Sequence, residues 1–257
     1  MFTSPKRIRG ADLRVRRELA DTLLGVPAPS TPSPDGSLRR GRGGGRPRHD
    51  GRITVGDPTD EILSAAGRLF GELGVSGTTM SRLAADVGLK QSSLYYYFRS
   101  REDVVAALVA RANVVPLALV TDVVALGGSA GASVWRFVRG DVEALCALPF
   151  DICEIHRVAA RDRERFANYW TERSLLQRRL AAIVRRGIET GEFREVNPSH
   201  TALMIMSNDE GVQNWFRLGT RRRPEEIGRS LAELTVAGLL AEGMHLGDLL
   251  SEVSKSY

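Results

Sequence analysis

The chain has little cysteine and few aromatic residues, and the shortage of cysteine excludes one class of protein. Its 257 residues include two cysteines, and 6% of them are aromatic. Two cysteines cannot form the disulfide framework of a small secreted domain. Cys146 and Cys153 stand two turns apart on one predicted helix, about 10.5 Å along its axis, which is too far for a disulfide bond. We therefore expect two buried, free thiols.

Histidine is also scarce, with four in the chain, and this argues against a metal site. Cys153 and His156 are three residues apart, with Asp151 and Glu154 beside them. A transition-metal site needs three or four converging ligands, and the other histidines are distant in the sequence. We predict no metal and no cofactor.

The sequence argues against catalysis, because its match to a catalytic motif is not preceded by a strand. Residues 127–131 read G-G-S-A-G, which matches the G-x-S-x-G pattern of a nucleophile elbow. That motif requires a preceding strand and a sheet beneath it, whereas residues 117–126 have a helical pattern. We predict that the protein is not an enzyme.

Long hydrophobic runs and strand patterns are lacking as well. The sequence shows no apolar run of about eighteen residues, and no signal-peptide stretch near its start. No segment alternates apolar and polar residues over the length of a strand. These absences predict an all-α, cytoplasmic protein with no membrane partner.

What the chain has in excess is positive charge, and the charge is concentrated at one end. Residues 1–52 carry a net charge of +7, and the remaining residues carry −2. The leading segment is rich in Pro, Gly, Ser and Arg, a composition that predicts a disordered basic extension. It could add salt-sensitive affinity for DNA, be inert, or precede the true translation start near Val55.

The segment that follows begins with a strong helix signal. Asp57 precedes Pro58, and aspartate caps the free amides of a helix start while proline suits the first turn. Apolar residues then recur at helical spacing up to Gly74. Gly74 is expected to end this helix, because glycine adopts the left-handed conformation of a helix cap.

Two shorter helices are predicted after this one. Thr78 or Thr79 caps a second helix, and Gly88 ends it. A third helix begins near residues 90–91 and runs to about Tyr97. Two helices joined by a tight turn, the second one exposing small polar residues, form a helix-turn-helix that fits the major groove of DNA.

The same segment resembles the head of the tetracycline-repressor (TetR) family of bacterial regulators. The matching motifs are G-x-x-x-T-T at 74–79, L-A-x-x-V-G at 83–88, L-Y-x-Y-F at 94–98 and S-R-E-D at 100–103. The resemblance implies an all-helical homodimer with an amino-terminal DNA-binding domain, here residues 53–103, and a larger ligand-sensing core. It also implies repression that a small molecule relieves.

The resemblance assigns DNA contacts to residues of this chain. Base edges are expected to face Gln91, Ser92, Ser93 and Tyr96. Phosphates are expected to face Thr78, Thr79, Arg82, Tyr95, Tyr97 and Arg101. Glutamine and serine suit base edges, whereas tyrosine hydroxyls and guanidinium groups fix the register on the backbone.

One residue departs from the family pattern. Lys90 stands where many members have a serine that caps the recognition helix. Lysine cannot cap, so we expect Lys90 to contact a phosphate or a base. Leu94 and Phe98 are expected to pack inside the domain, and Tyr95 and Tyr97 suit either packing or phosphate contact.

The rest of the chain also reads as helices. A connecting helix is expected to start at Ser100 and to kink or end at Pro116. We assign residues 104–245 to a ligand-binding and dimerisation domain and residues 246–257 to a tail. Helical patterns occur at about residues 133–148, 152–159, 166–190, 199–218 and 224–240.

The last two of these helices resemble the pair through which the family dimerises. The similarity rests on N-W-F-R at 214–217 and on R-P-E-E-I at 223–227. An apolar stripe along the last helix suits either a homodimer interface or the protein's own core. The stripe consists of Ile227, Leu231, Leu234 and Gly238.

The effector-binding residues are read from composition and analogy. The candidates are Trp135, Phe150, His156, Trp170, Met204 and Asn208, with His156 and Asn208 as polar anchors. The resemblance suggests a hydrophobic acid or an acyl-CoA as effector. The sequence therefore predicts a ligand-responsive homodimeric repressor of a near-palindromic operator in double-stranded DNA. The alternative is a nucleoid-binding or division-linked DNA protein without an effector.

Overall fold

The computed structural model describes residues 57–148, 150–216 and 222–255. Within these ranges the regular structure is entirely helical, with one isolated β-bridge between Phe193 and Leu240, so the all-α prediction is confirmed. The chain divides into two compact units, which we call the head unit, ending at Leu108, and the core unit, starting at Val109. The predicted basic extension, residues 1–52, lies outside the described residues.

The head unit contains three helices and the start of a fourth. Its first helix starts as predicted, because the Asp57 side chain accepts a hydrogen bond from the Thr59 amide at 2.9 Å. Gly74, with φ at 73°, breaks this helix, and one further turn follows it. The helices are α1 (Pro58–Gly77), α2 (Met80–Asp86), α3 (Gln91–Tyr97) and α4 (Arg101–Ala112).

The core unit contains seven further helices and a short 3₁₀ turn, Val212–Asn214. Four of the seven match the helical patterns in the sequence with small shifts at their ends, whereas the helix expected at 199–218 ends at Gly211 and is followed by the 3₁₀ turn. Both cysteines are free, but only Cys146 is buried and Cys153 is partly buried. They lie on two separate helices and not on the single helix expected from the sequence. The helices are α5 (Val114–Leu126), α6 (Ala130–Ala147), α7 (Ile152–Arg161), α8 (Ala167–Glu189), α9 (Pro198–Gly211), α10 (Pro224–Ala237) and α11 (Leu246–Lys255).

Helix α6 is the centre of the core unit. It packs against α5, α8, α9, α10 and α11, and Val134, Phe137 and Val142 on it are fully buried. The close approach of α10 depends on Gly228, since a Cβ atom there would lie 2.8 Å from the carbonyl oxygen of Arg139. This central helix therefore contacts α8 and α9, which carry the candidate effector residues Trp170, Met204 and Asn208.

The connecting segment breaks earlier than Pro116. Helix α4 ends at Ala112, and α5 begins at Val114, which places the proline in the first turn of α5, where its missing amide costs no hydrogen bond. The amide of the buried Asn113 side chain donates to the Tyr169 carbonyl at 3.0 Å. This contact anchors the break to α8.

The segment Arg101–Leu126 corrects the expectation about long apolar stretches. An 18-residue window within it has a mean hydropathy of 2.0, enough by length and composition to cross a membrane. The sequence pattern missed it because Arg111 and Asp122 interrupt the run. One such segment carries little weight, since core helices of water-soluble proteins have the same composition, and here it is broken at Asn113.

Residues 127–131, which match the nucleophile-elbow pattern, form the loop before α6 and the first two residues of that helix. The Ser129 hydroxyl accepts a hydrogen bond from the Ala132 amide at 3.0 Å, as a helix cap does. The Glu192 carboxylate accepts from the Ala130 and Gly131 amides at 2.7 and 2.6 Å. The amides at this helix start are therefore held by side chains of the protein itself.

The prediction of a carboxy-terminal tail needs correction. Residues Leu246–Lys255 form α11, and its Leu249 and Val253 side chains are buried against the core unit. The Glu252 carboxylate on the same helix accepts from the Ser129 amide at 2.9 Å. Leucine and valine at helical spacing, rather than a polar composition, give this segment a buried face.

Candidate nucleic-acid interface and core polar cluster

The turn between α2 and α3 has the hydrogen bonds of a Schellman motif. Gly88 has φ at 67°, and its amide donates to the Ala85 carbonyl at 3.2 Å. The Leu89 amide donates to the Ala84 carbonyl at 2.8 Å. Glycine is needed here because residues with a side chain rarely adopt a positive φ. The turn ends α2 and sets the direction of α3.

Helix α3 has a buried side and an exposed polar side. Leu94 is fully buried, and Phe98 just beyond the helix is 7% exposed, as expected for residues that hold the helix in place. The helix begins at Gln91, and its cap residue Lys90 makes no side-chain capping bond. The exposed residues at its start are Lys90, Gln91, Ser92 and Ser93.

The three tyrosines of α3 are all exposed. Tyr96 is 85% exposed, whereas Tyr95 and Tyr97 are 44% and 38% exposed. The Tyr96 and Tyr97 rings meet edge to face, with centroids 5.2 Å apart. Tyr95 and Tyr97 are partly buried, so each ring packs against the head unit while part of the side chain stays accessible to DNA.

Some of the residues expected to contact phosphates are exposed, and others are buried or already hydrogen-bonded within the head unit. Arg82 is exposed, and Thr79 is exposed while its hydroxyl accepts from the Arg82 amide at 3.2 Å. Thr78 is only 1% exposed and its hydroxyl donates to the Gly74 carbonyl at 3.1 Å. Its burial contradicts the predicted phosphate contact, because the first threonine of the pair faces inward to close α1.

Arg101 is already held by the head unit. Its guanidinium donates to the Ser76 carbonyl at 3.3 Å and to the Glu102 carboxylate at 2.9 Å. A phosphate could bind this guanidinium only in competition with Glu102. Arg82 is therefore the more accessible cation of the two.

The predicted effector residues do not share one location. Trp135 and Phe150 are 5% and 6% exposed, and the Trp170 indole N–H donates to the Ala159 carbonyl at 3.3 Å. Met204 is 64% exposed, and Asn208 is exposed as well. These two side chains are on the outer side of α9, so they do not line the interior of the chain, contrary to the prediction.

The structure instead brings six polar side chains together inside the core unit. We call them the polar cluster: Asp141, His156, Tyr169, Arg173, Asp209 and Glu210. They come from α6, α7, α8 and α9. Of these six, the sequence pointed only to His156. The missed signal lies on α9, where Asp209 continues the buried apolar stripe of Ala202, Ile205 and Met206.

One ion pair organises the polar cluster. The Arg173 guanidinium binds the Glu210 carboxylate in a two-pronged arrangement, with N–O distances of 2.6 and 2.9 Å. His156 Nδ1 lies 3.7 Å from Glu210 Oε2, and the His156 and Tyr169 ring centroids are 5.8 Å apart. The single cation of the cluster is thus committed to one of its three carboxyls.

The remaining two carboxyls face each other. Burial, followed by the charge of Glu210, raises the pKa of Asp141 to about 7. Burial and the charge of Asp141 raise the pKa of Asp209 well above its usual range. Two adjacent carboxyls can hydrogen-bond only by sharing a proton, so the pair holds a proton that exposed carboxyls would have lost.

His156 supplies no compensating charge. Burial, followed by the charge of Arg173, lowers its pKa to about 3, so its imidazole is neutral near pH 7. The acids of the polar cluster therefore outnumber the cations.

A helix-turn-helix with an exposed polar face on its second helix defines a DNA-binding protein. Two family models extend this conclusion. The model of the bacterial regulatory proteins of the tetR family matches residues 62–108, and the tetracyclin repressor-like C-terminal domain matches residues 154–239. Together they cover more than half of the chain, and the chain belongs to the TetR family of transcriptional regulators.

Known proteins similar to this chain agree with that assignment. The chain is 24% identical over 190 residues to the HTH-type transcriptional repressor KstR2 of Mycobacterium tuberculosis, covering 72% of this chain and 94% of KstR2. The sequence similarity thus extends across both units. The protein is a DNA-binding regulator of transcription.

Solved structures share the fold. The structure of KstR2, a ketosteroid transcriptional regulator of M. tuberculosis, matches with a TM-score of 0.66 at 22% identity, over 74% of this chain and 98% of KstR2. The TetR family regulator PfmR of Thermus thermophilus matches with 0.63 at 27% identity, over 69% and 97% of the two chains. AibR in complex with isovaleryl coenzyme A and operator DNA matches with 0.62 at 19% identity, over 69% and 97%.

Proposed function

We propose that the protein is a homodimeric, sequence-specific repressor that dissociates from its operator when a small molecule binds the core unit. The observation that carries the proposal is the exposed polar face of α3. Lys90 and Gln91 stand free of the head unit's interior, while the buried Leu94 holds the helix in place. Such a face presents donors and acceptors to base edges.

Dimerisation is supported by apolar side chains on the outer surfaces of α9 and α10. Leu203 and Met204 on α9 are 44% and 64% exposed, and Leu234 on α10 is 72% exposed. Within the predicted stripe, Ile227 packs inside the core unit while Leu234 points outward. Burying these side chains against a second copy would stabilise a dimer through the hydrophobic effect.

Release by an effector is supported by the position of the polar cluster among four helices. A ligand that prefers one arrangement of these helices shifts the population toward it. To weaken DNA binding a hundredfold, the ligand must prefer the released state by about 2.7 kcal/mol. AibR, which has the same fold, is known with isovaleryl coenzyme A and operator DNA together. A regulator of this kind acts on the DNA in the bacterial cytoplasm.

The test is selection of genomic DNA fragments by the purified chain at physiological salt. We expect a few near-palindromic sites, because a two-fold dimer places its recognition helices one helical turn of DNA apart, about 34–36 Å. Sites without two-fold symmetry would contradict the dimer. Broad, weakly selective recovery would instead support the nucleoid-binding alternative.

A matched pair of variants tests the assignment of α3. Gln91→Ala should alter the preferred bases and reduce discrimination between sites by about 1–3 kcal/mol, as loss of a two-pronged base contact does. Arg82→Ala, on an exposed position of α2, should weaken all sites alike, because phosphate contacts carry no base information. The measurement is affinity across a randomised operator. Equal, uniform losses for both variants would refute base reading by Gln91.

A further inference from the structure

The polar cluster contains buried polar atoms that the protein does not satisfy. Asp209 is fully buried, and within the described ranges its carboxyl faces the acid Asp141 but meets no N–H or alcohol donor. His156 Nε2 likewise has no hydrogen-bond partner there, and the Tyr169 hydroxyl lies beside Arg173 without a well-formed hydrogen bond. Leaving a buried polar group unpaired costs about 1–3 kcal/mol, so a purely structural network normally pairs its members.

The acids and cations of the polar cluster do not balance. Arg173 is hydrogen-bonded to Glu210. Its charge still acts on Asp141, but no cation in the described ranges hydrogen-bonds to the Asp141 or Asp209 carboxyl. A ligand carboxylate or phosphate placed here would add negative charge to a buried site that already has an excess of acids. The cluster therefore selects against anionic ligands.

A protonated amine has the complementary properties. An ammonium group carries three donors and no acceptor, and its hydrogen bonds to carboxylates are charge-assisted and strong. Asp141 and Asp209 supply acceptors from two facing helices, and the Tyr169 hydroxyl, 2% exposed as a residue, supplies another. The apolar, buried Ile205 and Met206 precede Asp209 on α9, which suits an amine with a hydrocarbon body.

We propose that the polar cluster binds an organic amine as its ammonium ion, held between the carboxyls of Asp141 and Asp209 with the Tyr169 hydroxyl as a third acceptor. The role of this amine as effector rests on the proposed function above; the binding itself does not. The inference replaces the acid or acyl-CoA expected from the family resemblance with a ligand of opposite charge.

The experiment measures thermal unfolding of the purified full chain with three matched series of ligands. These are straight-chain primary amines, alcohols and carboxylic acids from butyl to octyl. Amines should raise the midpoint with concentration, since a ligand that binds only the folded state stabilises it. Alcohols and acids of the same length should leave the midpoint unchanged.

Variants tie the response to the cluster. Asp209→Asn should weaken amine binding by about tenfold or more, because it removes the carboxylate but keeps the shape. Tyr169→Phe should weaken it by a smaller factor and tests the site should Asp209→Asn fail to fold. Asp122→Asn, which changes an exposed acid on α5, should bind amines like the unmodified chain.

The outcomes separate this inference from the proposed function. A shift caused equally by alcohols, a shift caused by acids, an amine shift that survives both cluster variants, or no shift in any series would overturn the amine site. If no amine binds but near-palindromic fragments are still selected, the inference fails and the regulator stands. If amines bind but do not release those fragments, the amine site stands and the effector role is contradicted.

Discussion

The head unit and the core unit place their candidate functional side chains in opposite ways. In the head unit most side chains expected to meet DNA are exposed, with Tyr96 at 85%, although Thr78 is buried, as is the apolar Leu94 behind the exposed face. In the core unit the candidate site is interior, and Asp209 has no exposed surface. A site for a large partner lies on the surface of one short segment, whereas a site enclosing a small molecule is assembled from segments far apart in sequence.

Truncating one aromatic side chain in each unit should give the largest difference. Phe137 on α6 is fully buried, so Phe137→Ala should lower the free energy of unfolding of the core unit by about 3–5 kcal/mol. Tyr96→Ala, on the exposed face of α3, should change stability by about 0.5 kcal/mol or less. Urea unfolding followed by tryptophan fluorescence measures the first effect, since all three tryptophans are in the core unit.

DNA affinity provides the converse readout for the same two variants. Tyr96→Ala should weaken operator binding although the chain stays folded, and far-ultraviolet circular dichroism confirms the folded state of both units. A large loss of stability in Tyr96→Ala would show that this side chain supports the head unit's packing. The contrast between an exposed reading surface and a buried site would then be wrong for Tyr96.

The head unit was predictable because its signals are local. Asp57, Thr79 and Gly88 act within a few residues of their own position, as caps and as a turn. The absence of a cap at Lys90 was predictable for the same reason. Thr78 was misassigned because adjacent threonines at a helix start are equivalent in sequence, and only the packing of α1 decides which one turns inward.

The core unit was predictable as helices but not as a site. The inward face of a helix is fixed by its neighbours, and a choice one residue off selects Asn208 instead of the buried Asp209. The pairing of Asp209 with Asp141 joins residues far apart in the chain, which no local pattern encodes. The final helix was misassigned as a tail although Leu249 and Val253 stand at helical spacing, because the sequence does not show that this face packs on α6.

The pH dependence of stability tests the shared proton in the polar cluster. The pKa of Asp141 rises from 3.8 to about 7 on folding, so between these values the folded chain keeps a proton that the unfolded chain has lost. Stability from this group is therefore present at low pH and is lost as the pH rises toward 7. Asp141→Asn stays uncharged throughout and should gain stability relative to the unmodified chain, by at most about 1.4 kcal/mol per pH unit.

His156 acts in the opposite direction but is common to both proteins. Its pKa falls from 6.5 to about 3 on folding, so its contribution to stability is lost as the pH falls below the unfolded value. This contribution largely cancels when the two proteins are compared at each pH by urea unfolding. A difference between them that does not change between about pH 5 and pH 7 would show that Asp141 is ionised throughout this range, which would contradict its raised pKa.

The smallest expected effect concerns Lys90, the cap residue of the recognition helix. Substituting it should change both the stability of the head unit and its affinity for DNA. Lys90 has the extended backbone of a cap residue, with φ at −69° and ψ at 144°, but no capping bond. Lys90→Ser should form one and stabilise the head unit by about 1 kcal/mol, measured by circular dichroism during urea unfolding. The same change removes a cation, so operator affinity should fall and its logarithmic salt slope should decrease by about 0.9 for each subunit of the dimer.

Lys90→Ala separates the two contributions, because it removes the charge without providing a cap. It should show the reduced salt slope of Lys90→Ser but none of its gain in stability. If the salt slope stays the same in both variants, Lys90 does not contact a phosphate. If the serine and alanine variants have equally stable head units, the start of α3 does not depend on a side-chain cap.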